Sequence, residues 1–414
     1  MDILVVSQYF WPESFIINDL VRTLVAQGHK VRVLTGKPNY PEGEVFNGYC
    51  QFGYEEESYA EAVTVCRAPL RPRGTSGAKN LFLNYISFVF NGLRFYPKVV
   101  KGQRYDVIFV FAPSPITSVI PAIYLKWKLG SHLAVWVQDL WPESLHATGF
   151  VKNRSLLRLI GCGVKCIYSF VDTLLIQSRA FFEPVAYYAK PQKIVYYPNS
   201  YQECLPDSES SGIPAYLLAE LEANFCMVFA GNLGRAQSLE TIVDVAEKLR
   251  NLAGLRIVIV GSGSMSGWIQ GEKEARGLKN LILAGRFPAV EMPNFFSRAA
   301  GLLVTLKRSE IFSYTIPSKV QAYLAAGRPI IAAVDGEGAR VVEEAKAGLT
   351  CGAEDSDAMA QRIEQLYRMN LDEREALGLA GRAYFLEHFE MGRQSRRLVE
   401  ILHTRINEFK GESK

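Results

Sequence analysis

The stretch Ile316-Pro-Ser-Lys-Val-Gln-Ala-Tyr-Leu-Ala-Ala-Gly-Arg-Pro-Ile-Ile331 reads as a loop, a helix, a tight turn and a buried strand within sixteen residues. Pro317 suits the first helical turn, where a missing N–H costs nothing. Lys319 then falls in that same turn, and Leu324 with its flanking alanines carries the helix on. Gly327 can adopt the left-handed conformation that closes a helix, and Pro329 forbids its resumption. The open N-terminus directs free N–H groups and the positive end of the helix dipole outward, beside a lysine. Such a terminus binds anions, a phosphate above all. An ordinary strand-to-helix turn would read the same way, so the neighbouring strand ends must decide.

On either side the same alternation recurs. Short apolar strands at 226–230, 255–260, 281–284, 301–305 and 329–333 alternate with helical segments such as 239–249. Earlier strands fall at 3–6, 31–35, 107–111, 133–137, 173–177 and 193–196. Apolar strands interleaved with helices indicate doubly wound parallel sheets. Residues 198–214, rich in Pro, Ser, Asn and Glu, read as a linker. A chain of 414 residues exceeds one core. Two α/β domains are therefore expected, at 1–198 and 199–390, with a last helix at about 391–409 able to pack on either. Ligands of such sheets sit beyond the carboxyl ends of strands, which points to a cleft between the domains.

Composition narrows the class. A hydrophobic fraction of 49% with 21% charged residues is that of a soluble globular protein. No apolar run is long enough to span a bilayer; the best, residues 81–93, is broken by Asn84 and Asn91. The opening Met1-Asp-Ile-Leu-Val-Val6 is a strand without a basic leader, so a cytoplasmic protein is expected. Seven cysteines without a CxxC pair suggest reduced, mostly buried thiols. Cys162 and Cys166 sit four apart on a helix, but no further ligands accompany them and the five histidines are scattered, so metal catalysis is not expected. Residues 1–200 carry 21 basic against 14 acidic side chains, and residues 201–414 carry 25 against 28. The excess gathers at 60–105, where Arg67, Arg71, Arg73, Lys79, Arg94, Lys98, Lys101 and Arg104 face only Glu61. Phe82, Tyr85, Phe88, Phe90, Phe95 and Tyr96 interleave with them. That pattern suits a helix lying on an anionic membrane surface, or a packed helix with a solvated basic side. No nucleic-acid module is visible.

Several strand ends carry loops suited to a phosphorylated ligand. Gly231-Asn-Leu-Gly-Arg-Ala-Gln-Ser238 opens a helix. Gly231 and Asn232 let the backbone approach a ligand, and Arg235 can fork onto phosphate oxygens or be merely solvated. Gly285-Arg-Phe-Pro288 could present the backbone of Arg286, Phe287 and Pro288 to a base. Pro317, Ser318 and Lys319 form a third loop. Asp335-Gly-Glu-Gly-Ala-Arg340 forms a fourth, with Gly338, Arg340 and, further on, Glu343. Arg235, Lys319, Arg340 and two helix N-termini together would hold a diphosphate. Gly261-Ser-Gly-Ser-Met-Ser-Gly267 is spaced GxGxxxG and lacks the acid that a dinucleotide fingerprint needs. Asp355-Ser-Asp357 stands just before a helix, where its acids serve as caps. In the first half, Gln8-Tyr-Phe-Trp-Pro-Glu-Ser14 and Asp139-Leu-Trp-Pro-Glu-Ser144 follow two strands. Glu13 and Ser14 could meet a sugar. Asp139 and Glu143 could hold or deprotonate an acceptor hydroxyl, or cap the helix that follows.

Taken together, Tyr9-Phe-Trp-Pro-Glu13, Gly28-His29, Gly36-Lys-Pro-Asn-Tyr-Pro-Glu-Gly43, Val137-Gln-Asp-Leu-Trp-Pro-Glu-Ser144, Gly231-Asn-Leu-Gly-Arg235 and Ile316-Pro-Ser-Lys319 resemble retaining glycosyltransferases of family four, which have the GT-B fold. The likeness covers nearly the whole chain. Within the family it looks most like L-N-acetylfucosamine transferases of O-antigen and capsule gene clusters. The resemblance implies a UDP-sugar donor with no other cofactor, and an undecaprenyl-diphosphate-linked acceptor at the inner face of the membrane. It implies metal-independent transfer with retained anomeric configuration, the leaving phosphate helping to deprotonate the incoming hydroxyl. Arg235 and Lys319 would neutralise the diphosphate, and such a contact is typically worth ~3 kcal/mol. Many relatives carry two glutamates eight residues apart, where this chain has Tyr314 and Ala322. Glu310, Gln321 and Glu343 are the nearest candidates to replace them. The same sequence would also suit a nucleotide-sugar 2-epimerase of this fold, or a non-catalytic scaffold that binds nucleotide sugar.

Overall fold

A computed structural model describes residues 1–74, 77–147, 149–203 and 212–412. Residues 204–211 of the expected linker, with Cys204, lie outside these residues.

The first compact unit comprises Met1–Asn199 and Met391–Lys414. Its strands are β1 (Asp2–Ser7), β2 (Lys30–Thr35), β3 (Glu55–Tyr59), β4 (Val63–Arg67), β5 (Val107–Ala112), β6 (His132–Val137), β7 (Thr173–Ile176) and β8 (Ile194–Tyr196). They form one sheet in the order β3-β4-β2-β1-β5-β6-β7-β8. Every pair is parallel except β3 with β4. All six residues of β5 and of β6 are buried, as central strands covered on both faces require.

The β3–β4 hairpin was not legible as apolar rhythm, because β3 is an edge strand and opens with three glutamates that discourage further pairing. Its acids correct the expected surface charge. Arg67 is fully buried, bonds Glu57 of β3, and donates to the Gly36 carbonyl at 3.1 Å. It therefore adds nothing to the basic surface.

The helix Met391–Glu412 packs against the helix Ile16–Ala26 and completes the first core. Met391, Leu398, Leu402 and Ile406 share one face and are buried with Leu20, Val21, Leu24 and Trp136. Burying each such side chain contributes about 1.5–3 kcal/mol. Gln27 donates to the Gly392 carbonyl at 2.9 Å, and Arg397 to the Tyr196 carbonyl at 3.2 Å.

The second unit is Ser200–Glu390. Its strands β9 (Phe225–Ala230), β10 (Leu255–Val260), β11 (Leu281–Gly285), β12 (Gly301–Thr305), β13 (Ile330–Ala333) and β14 (Gly348–Cys351) form a parallel sheet in the order β11-β10-β9-β12-β13-β14. The order reverses between β9 and β12. Connections on either side of that point diverge to opposite faces and leave a crevice beyond the strands' carboxyl ends.

Two smaller expectations change. Among the described cysteines, only Cys66 and Cys226 are buried; Cys351 is half-buried, and Cys50, Cys162 and Cys166 are exposed, so these thiols are not mostly internal. Asp355 does cap its helix, accepting from the Ala358 N–H at 2.9 Å, and Asp357 pairs with Lys248 at 2.5 Å. No described helix is long and apolar enough to cross a membrane.

Candidate functional site

At the switch point of the second sheet, β9 ends at Ala230 and turns through Gly231, whose φ of +138° favours glycine. A Cβ at Gly231 would lie 2.7 Å from Cε of Lys319. The loop begins with glycine because the lysine side chain crosses there. Lys319 is the second residue of the helix Ser318–Ala326. Pro317 is not inside the first turn, as expected, but is the residue that precedes it, with extended ψ of 135°. A proline there has no side chain to cap the helix. The N–H groups of Ser318 and Lys319 have no acceptor among the described residues. Gly327 closes the helix in the left-handed conformation.

The Lys319 ammonium donates to Gln237 Oε1 and stands 4.3 Å above the Phe229 ring. No carboxylate pairs with it among the described residues. Burial alone pushes its pKa down to about 8. A half-buried, unpaired cation beside free amides is poised for an anion.

The loops after β9 and β10 stack backbone on backbone. Gly231 N donates to Val260 O and Leu233 N to Ser262 O, each at 2.9 Å. A Cβ on Gly261, whose φ is +147°, would lie 1.9 Å from the Gly231 carbonyl oxygen. One on Gly263 would lie 2.5 Å from Leu233 O. The Gly261-x-Gly263 pair therefore serves close loop packing. Beside it opens a hollow of about 430 Å³, lined by Gly231, Asn232, Ser262, Gly263, Arg286, Phe287 and Met292 among others. Phe287 is held edge-on against Phe295, with ring centroids 5.0 Å apart. Arg286 and Arg235 are exposed, and Pro288 leads into a short turn of helix. Ser262, Gly263 and Met292 were not foreseen. The Gly261-x-Gly263 pair is the signal in the sequence that marks them, and a dinucleotide fingerprint is only one use of such glycines.

The fourth loop behaves differently. Gly338 lies within van der Waals reach of Pro317, whose Cδ would be 3.0 Å from an added Cβ. Arg340, however, bonds Glu337 at 2.7 Å and also Glu344, so two carboxylates offset the charge expected to face a phosphate. Glu337 is buried in the first turn of that helix. Glu343 lies on the last turn, about 9 Å further along the axis, where it accepts from the Thr350 hydroxyl at 2.5 Å. Of the three positions offered for the missing glutamates, Gln321 is buried, whereas Glu310 accepts from the Tyr314 hydroxyl at 2.7 Å. Tyr314, at the position of the first absent glutamate, thus holds a carboxylate supplied from four residues earlier.

In the first unit, Glu13 is buried. Its Oε1 accepts from Asn39 N and Tyr40 N at 2.8 Å, and its Oε2 from Phe10 N at 3.2 Å. Burial pushes its pKa up to about 7 although these donors pull the other way. Its carboxylate ties the loop after β1 to the loop after β2, where it was expected to meet a sugar. Ser14 is exposed. Asp139, after β6, accepts through Oδ2 from the Trp141 indole at 3.2 Å and the Ser144 hydroxyl at 3.1 Å. Burial pushes it up to about 6. Glu143 accepts from the Tyr188 hydroxyl at 3.2 Å. Tyr85 lies within electrostatic reach of both Asp139 and Arg73, and burial raises its pKa. The Arg73 guanidinium stacks 4.9 Å over Tyr40. Asn84 is buried between Gln8 Nε2, at 2.7 Å, and the Arg71 carbonyl, at 2.6 Å. These last residues carried no motif and were legible only as part of the basic-aromatic segment.

Residues 15–200 match the glycosyl transferase 4-like domain, and residues 224–369 match the model described as glycosyl transferases group 1. The two domains are those of a glycosyltransferase. Among curated proteins, the chain is 26% identical over 342 residues to "Putative colanic acid biosynthesis glycosyl transferase WcaI" of Escherichia coli strain K12, covering 79% of this chain and 82% of the relative. It is 24% identical to "Probable glycosyltransferase WbjE" of Pseudomonas aeruginosa, covering 72% and 75%. Among solved structures, a sucrose-phosphate synthase from Thermosynechococcus elongatus superposes with a TM-score of 0.74 at 15% identity, over 98% of this chain and 99% of the other. HepE of Anabaena, solved in complex with UDP, gives 0.69 at 12% identity, over 98% and 100%. The glycosyltransferase fold, GT-B, accounts for both parallel sheets.

Proposed function

We propose that this glycosyltransferase moves an amino-deoxy sugar, such as L-N-acetylfucosamine, from a UDP-sugar to a saccharide carried on undecaprenyl diphosphate. The reaction retains anomeric configuration, needs no metal, and takes place on the cytoplasmic side of the membrane during surface-polysaccharide synthesis. The crossing of Lys319 over Gly231 at the sheet's switch point carries this reading. It sets an unpaired cation and two free backbone amides beside a hollow sized for a nucleotide. Relatives named for colanic acid and for O-antigen chains, and a structural neighbour solved with UDP, support the pathway and the donor.

In this reading the diphosphate lies along Gly231 and Lys319, with Arg235 at its outer side and the base toward the Arg286–Pro288 turn. As the sugar–oxygen bond breaks, negative charge grows on the leaving phosphate, where the lysine and helix amides stabilise it. The phosphate oxygen takes the proton of the incoming hydroxyl. Glu310, presented by Tyr314, supplies the carboxylate toward the donor sugar. Asp139 orients the acceptor hydroxyl as a hydrogen-bond acceptor and must be ionised to do so. With its pKa near 6, kcat/KM is expected to fall as pH drops below that value. Asp139→Asn should flatten this acidic limb and lower the rate by roughly a hundredfold. A pH series on both proteins checks it.

The direct test measures UDP release from a panel of UDP-sugars, with and without a lipid-diphosphate-sugar acceptor and with a chelator present. Release that needs both an amino-deoxy donor and the acceptor, and survives the chelator, supports the proposal. Turnover without acceptor indicates epimerase or hydrolytic chemistry, and binding without turnover indicates a scaffold.

A further inference from the structure

Three helices of the first domain, Ala78–Val99, Ile120–Leu129 and Arg154–Phe170, contain no aspartate or glutamate. Together they hold eight lysines and arginines. Only Lys126 has a carboxylate partner among the described residues, Asp172 at 2.6 Å. The others, including Arg94, Lys128, Arg158 and Lys165, are exposed and have no carboxylate partner among the described residues. A solvated protein face normally interleaves both signs.

The same helices leave large apolar groups uncovered. Trp127 is 81% exposed, Leu159 67%, Phe90 63% and Phe170 51%. Leu93, Ile123, Trp127, Phe170 and Phe409 wall a groove of about 580 Å³ that runs beside Lys126. Cations with long apolar stems around exposed aromatic rings are the pattern of a surface resting at the boundary between lipid head groups and acyl chains. The absence of acids on all three helices selects an anionic lipid, since each lysine or arginine near such a surface adds attraction. The longest helix links this face to the acceptor side. Asn84 braces Gln8 and the Arg71 carbonyl, and Leu93, nine residues and about 14 Å further on, lines the groove.

We propose that the face built by these three helices, centred on Trp127, docks the protein onto an anionic lipid bilayer. It rests on the reading of the acceptor as lipid-linked and identifies the surface that brings the enzyme to it. The segment 78–104 supplies one edge; the Trp127 and Phe170 helices supply the centre.

The test is flotation of the full chain with phosphatidylcholine vesicles, with and without phosphatidylglycerol, at rising salt. The wild type should float only with phosphatidylglycerol and be released by salt. Trp127→Glu, and separately Lys128→Glu with Lys165→Glu, should each lower partitioning by roughly tenfold or more. These side chains are exposed, so unchanged thermal unfolding and UDP binding certify the fold. A wild type that ignores phosphatidylglycerol, or variants that bind it as well as the wild type, overturns the proposal. So does capture by an acidic protein with no lipid binding. Turnover of a short-chain soluble acceptor is followed in parallel. Its loss with vesicle binding intact sinks the transferase reading and leaves the docking standing, and the opposite pattern does the reverse.

Discussion

Lys319→Met should reduce turnover by two to three orders of magnitude, the scale on which removing one preorganised group facing developing charge acts. The substitution keeps the apolar stem that crosses Gly231 and lies over Phe229, so packing is conserved while the charge is lost. The effect should fall on kcat more than on KM, because charge on the diphosphate grows as the bond breaks. Arg235→Ala, at an exposed side chain, should cost less. The wild type should bind UDP more weakly as pH rises through about 8, where the free enzyme's Lys319 loses its proton. The variant should show no such slope. Calorimetric titration across that range checks the assignment. An unaltered slope in the variant, or a Lys319→Met enzyme within threefold of wild type, would remove Lys319 from the mechanism. For stability the sign is opposite. A lysine whose folded pKa lies below its unfolded value binds fewer protons when folded, so this group's contribution to stability improves between about pH 8 and 10.4.

Gly261→Ala should abolish UDP binding and destabilise the second domain by about 2–4 kcal/mol. A methyl group there would meet the Gly231 carbonyl oxygen at 1.9 Å, and φ of +147° is unfavourable for any side chain. Neither loop can yield alone, since Gly231 N, Leu233 N and Gly261 N are all committed to ladder-like hydrogen bonds with neighbouring strand ends. Gly267→Ala, where an added Cβ meets nothing within 4 Å, is the matched control. Denaturant unfolding of the two variants, with UDP titration of each, separates a local clash from a general dislike of substitution. Equal behaviour would show that the loops are not locked together.

Both sheets and the Lys319 helix could be read from sequence because central parallel strands are unbroken apolar runs and helix ends carry glycine and proline. The β3–β4 hairpin could not, since an edge strand such as Glu55-Glu-Glu-Ser-Tyr59 is selected for charge rather than burial. The site divides the same way. Gly231, Lys319 and the Arg286 turn follow strands and show themselves as loop motifs. The pairing of Arg340 with Glu337 and Glu344 depends on helical side-chain spacing, which a loop motif does not record. Glu13 reads in sequence as a loop carboxylate able to meet a sugar, and only the fold shows three backbone amides converging on it. The Asn84 contacts join Gln8, 76 residues away, and no local pattern records them.

The helix Met391–Glu412 completes a core begun at Ile3, so the first domain is discontinuous and the second is inserted within it. During synthesis the order of maturation is therefore inverted. The inserted domain has all its residues once the ribosome passes Glu390, whereas the domain started first keeps the apolar side of Ile16–Ala26 bare until the final helix emerges. A lesion near the carboxyl terminus would be felt in the first domain, and the second would remain folded.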